Sequence, residues 1–187
     1  MSAAAMKLRD YRSEDLDTIA SIEQQCFPSA IAFRRDSLIK MLYADSHAII
    51  AEAPDREIAG FAVYRKVNRV TGSLLTLDVL PQHRRQGLGS QLVAACTERL
   101  ERIGVEKLQL RVALNNHEAQ ALYERLGLRR LRIDRAFYRD GSDALVLETL
   151  PWARSWAPDA IWTRFREGVR HYRVTGKLRR LPNGDRS

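Results

Sequence analysis

The residues best placed to do chemistry sit in "LDVLPQHRRQGLGSQLV", Leu77 to Val93, where Arg84 and Arg85 precede Gly87 and Gly89. A β-prone apolar run enters this basic turn, and an amphipathic helix leaves it. Such a turn suits an anion. Glycines let the backbone approach a ligand, and a helix start offers unpaired N–H groups and partial positive charge. The two arginines add charge at the rim. A pyrophosphate fits this description. The stretch has no Lys-Ser/Thr pair after the glycines and no G-x-G-x-x-G, which disfavours nucleoside triphosphates and dinucleotides. Tyr123 lies on a later helical pattern, where periodicity alone packs it against Leu122 and Leu126.

The elements that position these residues follow from periodicity. "KLRDY" reads as a strand. "SEDLDTIASIEQQCF" reads as a helix with Ser13 as N-cap and Leu16, Ile19, Ile22 and Cys26 at helical spacing, ended by Pro28. "RRDSLIKMLYA" reads as a second helix. "HAIIAEA" and "EIAGFAVYRKV" read as strands joined at "PDRE", and "SLLTLDVL" as a strand covered on both faces. A helix from Gly87 to about Arg102 turns Leu88, Leu92, Ala95 and Leu100 inward and ends at Gly104. "KLQLRVAL", "LRRLRI" and "ALVLETL" are further strands, and "NHEAQALYERLG" is a compact helix. Paired strands followed by βαβα alternation predict an α/β (α+β mixed) fold: a central mixed twisted sheet of six to seven strands with helices on both faces.

The 187 residues suit one domain, 1–150, plus a basic C-terminal extension, 151–187. Of the net +8, the extension holds nine Lys or Arg against three acids, so the body is nearly balanced. Trp162, Phe165, Val169 and Tyr172 share one helical face of the extension, with arginines around the remainder. Two readings follow: a helix docked through its aromatics, or a contact to ribosomal or other RNA, or to an acidic surface. No apolar run has the length of a membrane helix, and no apolar leader is present. Cys26 and Cys96 read as free thiols of a reducing, cytoplasmic protein.

A second segment, "RVALNNHEAQALYERLGLRR", gives the turn its context. The R/Q-x-x-G-x-G/A loop (Arg84, Gly87, Gly89) and the N-x-x-A-x-x-L-Y-x-x-x-G-[F/L] signature (Asn116, Ala119, Leu122, Tyr123, Gly127, Leu128) together resemble the GNAT superfamily of acyl-CoA N-acetyltransferases. "RAFYRDGSDALVLE" resembles the RimI-like subgroup, which acetylates N-terminal amines, including the alanine of a ribosomal protein. The resemblance covers about residues 6 to 150 and implies acetyl-CoA as acyl donor, no metal, no membrane, and a protein or peptide N-terminus as acceptor. It implies that Leu77, Asp78 and Val79 pair with the pantetheine arm. Backbone from Arg84, Arg85, Gln86, Gly87, Leu88, Gly89 and Ser90 would hold the pyrophosphate. Asn116 would bind the cofactor arm, and Tyr123 would be both cofactor contact and general acid.

The departures concern the base and the acceptor. The glutamate usual five residues before the signature asparagine is Arg111 here, which takes no proton at neutral pH. The base position of lysine acetyltransferases falls near Ser73. Asp78 is the nearest carboxylate, while His83 borders the phosphates and His117 is solvated. No base is assigned. Deprotonation at pH 7 costs about 1.4 kcal/mol for an α-amine and about 4.6 kcal/mol for lysine, which favours an α-amine acceptor. Ile31 and Phe33 suit an apolar pocket for the first side chain, or ordinary loop packing. Phe137 and Tyr138 stand where the subgroup has a tyrosine pair touching peptide backbone, one hydroxyl short. The alternatives are a lysine or small-molecule amine acetyltransferase, or a non-catalytic acyl-CoA sensor that reaches RNA or a protein through its basic tail.

Overall fold

A computed structural model describes residues 6–151. The extension's helix and its arginines, and the division of the chain at residue 150, lie outside or at the edge of the described residues.

The chain forms one seven-stranded sheet in the order β1-β2-β3-β4-β5-β7-β6. The strands are β1 (Lys7–Asp10), β2 (Ser46–Glu52), β3 (Ile58–Lys66), β4 (Thr71–Val79), β5 (Lys107–Ala113), β6 (Arg129–Asp134) and β7 (Ala144–Glu148). The helices are α1 (Leu16–Cys26), α2 (Arg35–Tyr43), α3 (Leu88–Arg102) and α4 (His117–Arg125). Only β4 and β5 run parallel, because α3 crosses between them, and the remaining neighbours are antiparallel. The mixed sheet with helices on both faces is therefore as expected.

Strand alternation sorts the core into two layers. Ile49, Ala51, Leu74, Leu108 and Leu110 pack with Leu92, Cys96 and Leu100 of α3 and Tyr123 of α4. Ile50, Phe61 and Val63 pack on the other face with Ile19 and Ile22 of α1.

The start of α1 corrects one expectation. Ser13 does not cap it, because Ser13–Asp15 forms a 3-10 turn ahead of the helix. Asp15 stands at the N-cap of α1, but its side chain caps none of that helix's N–H groups and instead accepts the Arg12 N–H at 2.7 Å, ahead of the turn. Its carboxylate also takes two hydrogen bonds from Arg9, each 2.8 Å, and Arg9 reaches Glu52 at 2.6 Å. This buried ion network ties α1 to β1 and β2.

One irregularity in β4 sets up the site. Val63 pairs with Thr76 but Tyr64 pairs with Leu74, so Leu75 is an extra residue, a β-bulge. Parallel pairing with β5 stops at Leu74↔Leu110, just before the bulge, although β4 continues to Val79 and β5 to Ala113. The two strands part there.

Candidate active site

Beside the end of β4 lies a cleft of about 970 Å³ lined by Leu77, Val79, Gly87, Ser90, Asn116 and Tyr123, among others. Its floor is a backbone cradle. Arg85 has φ +59° and Gly87 has φ +80°, so alternate residues between β4 and α3 are left-handed and turn successive N–H groups toward one side. Gly87 suits this conformation at no steric cost; Arg85 adopts it despite its Cβ. Gly87 is also the N-cap of α3, and no side chain caps that helix, so its first N–H groups remain open toward the cleft. Gly89 has a second role. A Cβ there would lie 3.2 Å from Leu122, so glycine lets α3 and α4 close around the cleft.

The two arginines divide. Arg85 stands at the exposed rim, 3.8 Å from Glu118. Arg84 lines the cleft, but its Nε donates to the Val79 carbonyl at 2.9 Å, so its side chain folds back on the end of β4. Cys26 Sγ donates to the same carbonyl at 3.5 Å. Gln86 is outside the lining and its amide donates to the Gln82 carbonyl. His83 lines the cleft and meets Glu57 at 3.4 Å. Asn116 caps α4, its Oδ1 accepting the Ala119 N–H at 3.1 Å, which leaves its side-chain NH₂ as a donor. His117 is exposed, as expected.

Tyr123 is 7 % exposed, on the buried face of α4 and in the cleft lining. Burial pushes its phenol well above the ordinary value, and the nearby Asp78 and Tyr138 push the same way. It therefore rests protonated, placed as a proton donor.

The side chain of Asp78 turns away from the cleft. The bulge at Leu75 reverses the alternation, so Leu77 and Val79 line the cleft while the side chains of Thr76 and Asp78 turn to the α1 face. There Thr76 Oγ1 lies 2.8 Å from Asp78 Oδ2 and 3.2 Å from Glu23 Oε2. Glu23 and Asp78 are each 1 % exposed, and Glu23 Oε1 accepts the Phe33 N–H at 3.0 Å. Burial raises both carboxyls, Asp78 the more, with Glu23 adding to the effect at Asp78. Sequence reasoning missed Glu23. Its signal was an acid on the apolar stripe of α1, directly after Ile22.

The residues that the resemblance assigns to the acceptor lie in the α1–α2 loop, on β5 and in the β6–β7 connection. Arg111 is bound to Asp134 at 2.7 Å and lies 5.0 Å over the Phe137 ring, so a structural ion pair fills the position where the resemblance expects a glutamate. Phe137 and Tyr138 pack edge to face at 5.1 Å, and burial pushes the Tyr138 phenol up to about 12. Ile31 and Phe33 are half-buried in the α1–α2 loop. Arg139, which sequence reasoning also missed, joins the two walls by donating to the Ser29 and Ala32 carbonyls at 3.0 and 2.9 Å.

Among the described residues no helix is long and apolar enough to cross a membrane, and no group of His, Cys, Asp or Glu could hold a metal ion.

Comparison with known proteins agrees with this geometry. The ribosomal protein bS18-alanine N-acetyltransferase of Escherichia coli K12 is 36% identical over 97 residues, 51% of this chain and 65% of that protein. The crystal structure of the ribosomal-protein-S18-alanine N-acetyltransferase from E. coli superposes with a TM-score of 0.70 at 26% identity, covering 83% of this chain and 99% of that one. An N-alpha-acetyltransferase of Saccharolobus solfataricus is 23% identical over 150 residues, 75% of this chain and 90% of that protein. The family model described as Acetyltransferase (GNAT) family matches residues 16–128, from the first helix through the signature that ends at Leu128. The chain belongs to the GNAT acetyltransferase family and is an acetyltransferase that uses acetyl-CoA as its acyl donor.

Proposed function

We propose that the acceptor is the N-terminal α-amine of a protein, with ribosomal proteins as the substrate class, and that residues 1–150 are the acetyltransferase domain. The observation that carries the reading is the coincidence of three features in one cleft: the free stretch of β4 beyond Leu74, the amide cradle at the start of α3, and a buried, protonated Tyr123. Relatives named for acetylating ribosomal-protein alanine and N-terminal α-amines supply the acceptor class.

In this reading β4 around Leu77 to Val79 receives the pantetheine arm as an added strand, with Arg84 releasing the Val79 carbonyl. N–H groups from Arg84 to Ser90 hold the pyrophosphate, and the Asn116 amide donates to the arm. The amine attacks the thioester carbonyl, the C–S bond breaks, and Tyr123 protonates the departing thiolate. The α1–α2 loop, with Ile31 and Phe33, faces the first residue of the acceptor. Phe137 and Tyr138 face its backbone, with Arg111 supporting Phe137. The basic extension steers the enzyme toward acidic partners such as ribosomal RNA, a reading supported by its charge alone.

The test is thiol release from acetyl-CoA with peptides varied at the first residue, beside blocked lysine peptides and polyamines. Release with free α-amines and not with blocked peptides is expected. Turnover confined to lysine or polyamines overturns the acceptor assignment, and acetyl-CoA binding without turnover on any amine favours a sensor. A second prediction concerns the tie between the walls. Arg139→Ala should raise the peptide KM about fivefold, the effect of about 1 kcal/mol of lost hydrogen bonding, while calorimetry finds the acetyl-CoA Kd unchanged.

A further inference from the structure

The Arg111–Asp134 pair leaves the usual base position without a proton acceptor, yet a buried carboxyl pair lies on the far side of β4. Three observations give Glu23 and Asp78 a role beyond packing. Among the described residues neither carboxyl makes a hydrogen bond or ion pair with a Lys or Arg; their partners are the Thr76 hydroxyl, the Phe33 N–H, the Cys26 thiol and each other. Thr76 Oγ1 has one proton but touches both carboxyls, so both contacts are hydrogen bonds only when one acid carries a proton. Asp78 Oδ1 is buried and has no hydrogen-bond partner among the described residues. An unpaired buried acceptor is costly, and it is retained where something else supplies the donor.

The position says what supplies it. Leu77 and Val79, on either side of Asp78, line the acetyl-CoA cleft, as does Cys26, which lies against both acids. Glu23 in turn holds the Phe33 N–H of the α1–α2 loop, one of the two acceptor walls. The pair thus stands between the thioester cleft and the place where the amine enters.

We propose that Glu23, Thr76 and Asp78 form the proton acceptor of this enzyme, with Asp78 Oδ1 receiving the proton of the acceptor ammonium directly or across one water. The inference rests on amine acetylation in this cleft. At rest the pair holds one proton and one negative charge. The ammonium N–H bond breaks, its proton goes to Asp78 Oδ1, and the proton on the Thr76 side passes to Glu23, leaving both acids neutral. The freed lone pair attacks the thioester carbonyl. As the C–S bond breaks, Tyr123 gives its proton to sulfur and regains one from the new amide nitrogen. The extra proton then leaves the pair for solvent. The groups facing the pair are Cys26 of α1, Tyr123 of α4 and Thr76 of β4; Arg84 reaches Cys26 from the turn after β4, and Tyr138 of the β6–β7 hairpin faces Tyr123. Burial pushes the Cys26 thiol up to about 11, so it stays neutral while the pair titrates.

The experiment compares kcat of wild type and Asp78→Asn on one α-amine peptide from pH 6.5 to 9.5. An α-amine of pKa about 8 is about one-tenth neutral at pH 7. Asp78→Asn should therefore lose about tenfold at pH 7 and approach wild type near pH 9.5, with melting temperature and acetyl-CoA affinity retained. A loss of the same size at both pH values marks a structural role and overturns the proposal, as does no loss at pH 7. Should Asp78→Asn not fold, Glu23→Gln takes its place: it removes the group that receives the relayed proton while its amide oxygen can still accept the Phe33 N–H, and the same pH-dependent loss is expected. Wild type without turnover on any amine sinks the amine-acetylation reading itself and the proton acceptor with it. Active wild type beside undiminished variants sinks the proton acceptor alone.

Discussion

Tyr123→Phe is expected to lower kcat on α-amine peptides by about 10²-fold or more while leaving the acetyl-CoA Kd within about twofold. The substitution removes one oxygen from a residue already buried by its ring, so the packing of α4 on the sheet persists. What is lost is the proton offered to sulfur, and a factor of 10² corresponds to about 2.7 kcal/mol of barrier. The pH profile checks the role separately. Burial holds the Tyr123 phenol above its ordinary value of about 10, so no basic limb from its ionisation should appear in wild type below pH 10. Stopped-flow thiol detection and calorimetry measure the two constants. An unchanged kcat would remove Tyr123 from the reaction and leave it as core packing.

Asp15→Ala should be the most destabilising single substitution away from the cleft, by about 3 kcal/mol in chemical denaturation. Asp15 is 4 % exposed and accepts two hydrogen bonds from Arg9 and one from the Arg12 N–H. Removing it leaves the half-buried Arg9 guanidinium with Glu52 and the Asp10 carbonyl as remaining partners, and the Arg12 N–H without its acceptor. The sign of the pH dependence follows. Burial opposes ionisation of Asp15, but the Arg9 and Arg12 hydrogen bonds outweigh it and hold the carboxyl below its ordinary range. A depressed folded-state pKa stabilises the protein above the unfolded value of about 3.9, and that stability is lost as pH falls through the folded value. Wild type should therefore lose stability below about pH 4 more steeply than Asp15→Ala. Because α1 carries Glu23 and Cys26 at its other end, kcat is also expected to fall before global unfolding is seen.

The two predictions probe opposite ends of one lever. Asp15 fixes where α1 begins, and α1 then sets the distance from Glu23 to β4. The short tie from Arg139 holds the α1–α2 loop against the β6–β7 hairpin. The α1–α2 segment is thus held at one end by the Asp15–Arg9 ion pair and at the other by the Arg139 hydrogen bonds to backbone carbonyls.

Much of this site was legible in the residues. The glycine turn, the helix it starts and the placement of Tyr123 on a buried helical face are local properties. They follow from the conformational freedom of glycine, from unpaired N–H groups at a helix start and from a 3.6-residue period. All seven strands, four helices and the parting of the fold into two layers follow from the same periodicities. What tertiary structure alone decided is how side chains distant in sequence meet. Strict alternation along β4 puts Asp78 in phase with Leu74, on the cleft side; the bulge at Leu75 sends it to α1 instead. The Asp15 carboxylate at the start of α1 is held by Arg9 of β1, which also reaches Glu52 on β2. Arg111 becomes an ion-pair partner because β7 brings β6 and the hairpin beside β5. Periodicity counts residues along one chain segment, whereas a one-residue bulge or a charge from another strand is set by packing between segments, and those contacts placed the carboxyl pair.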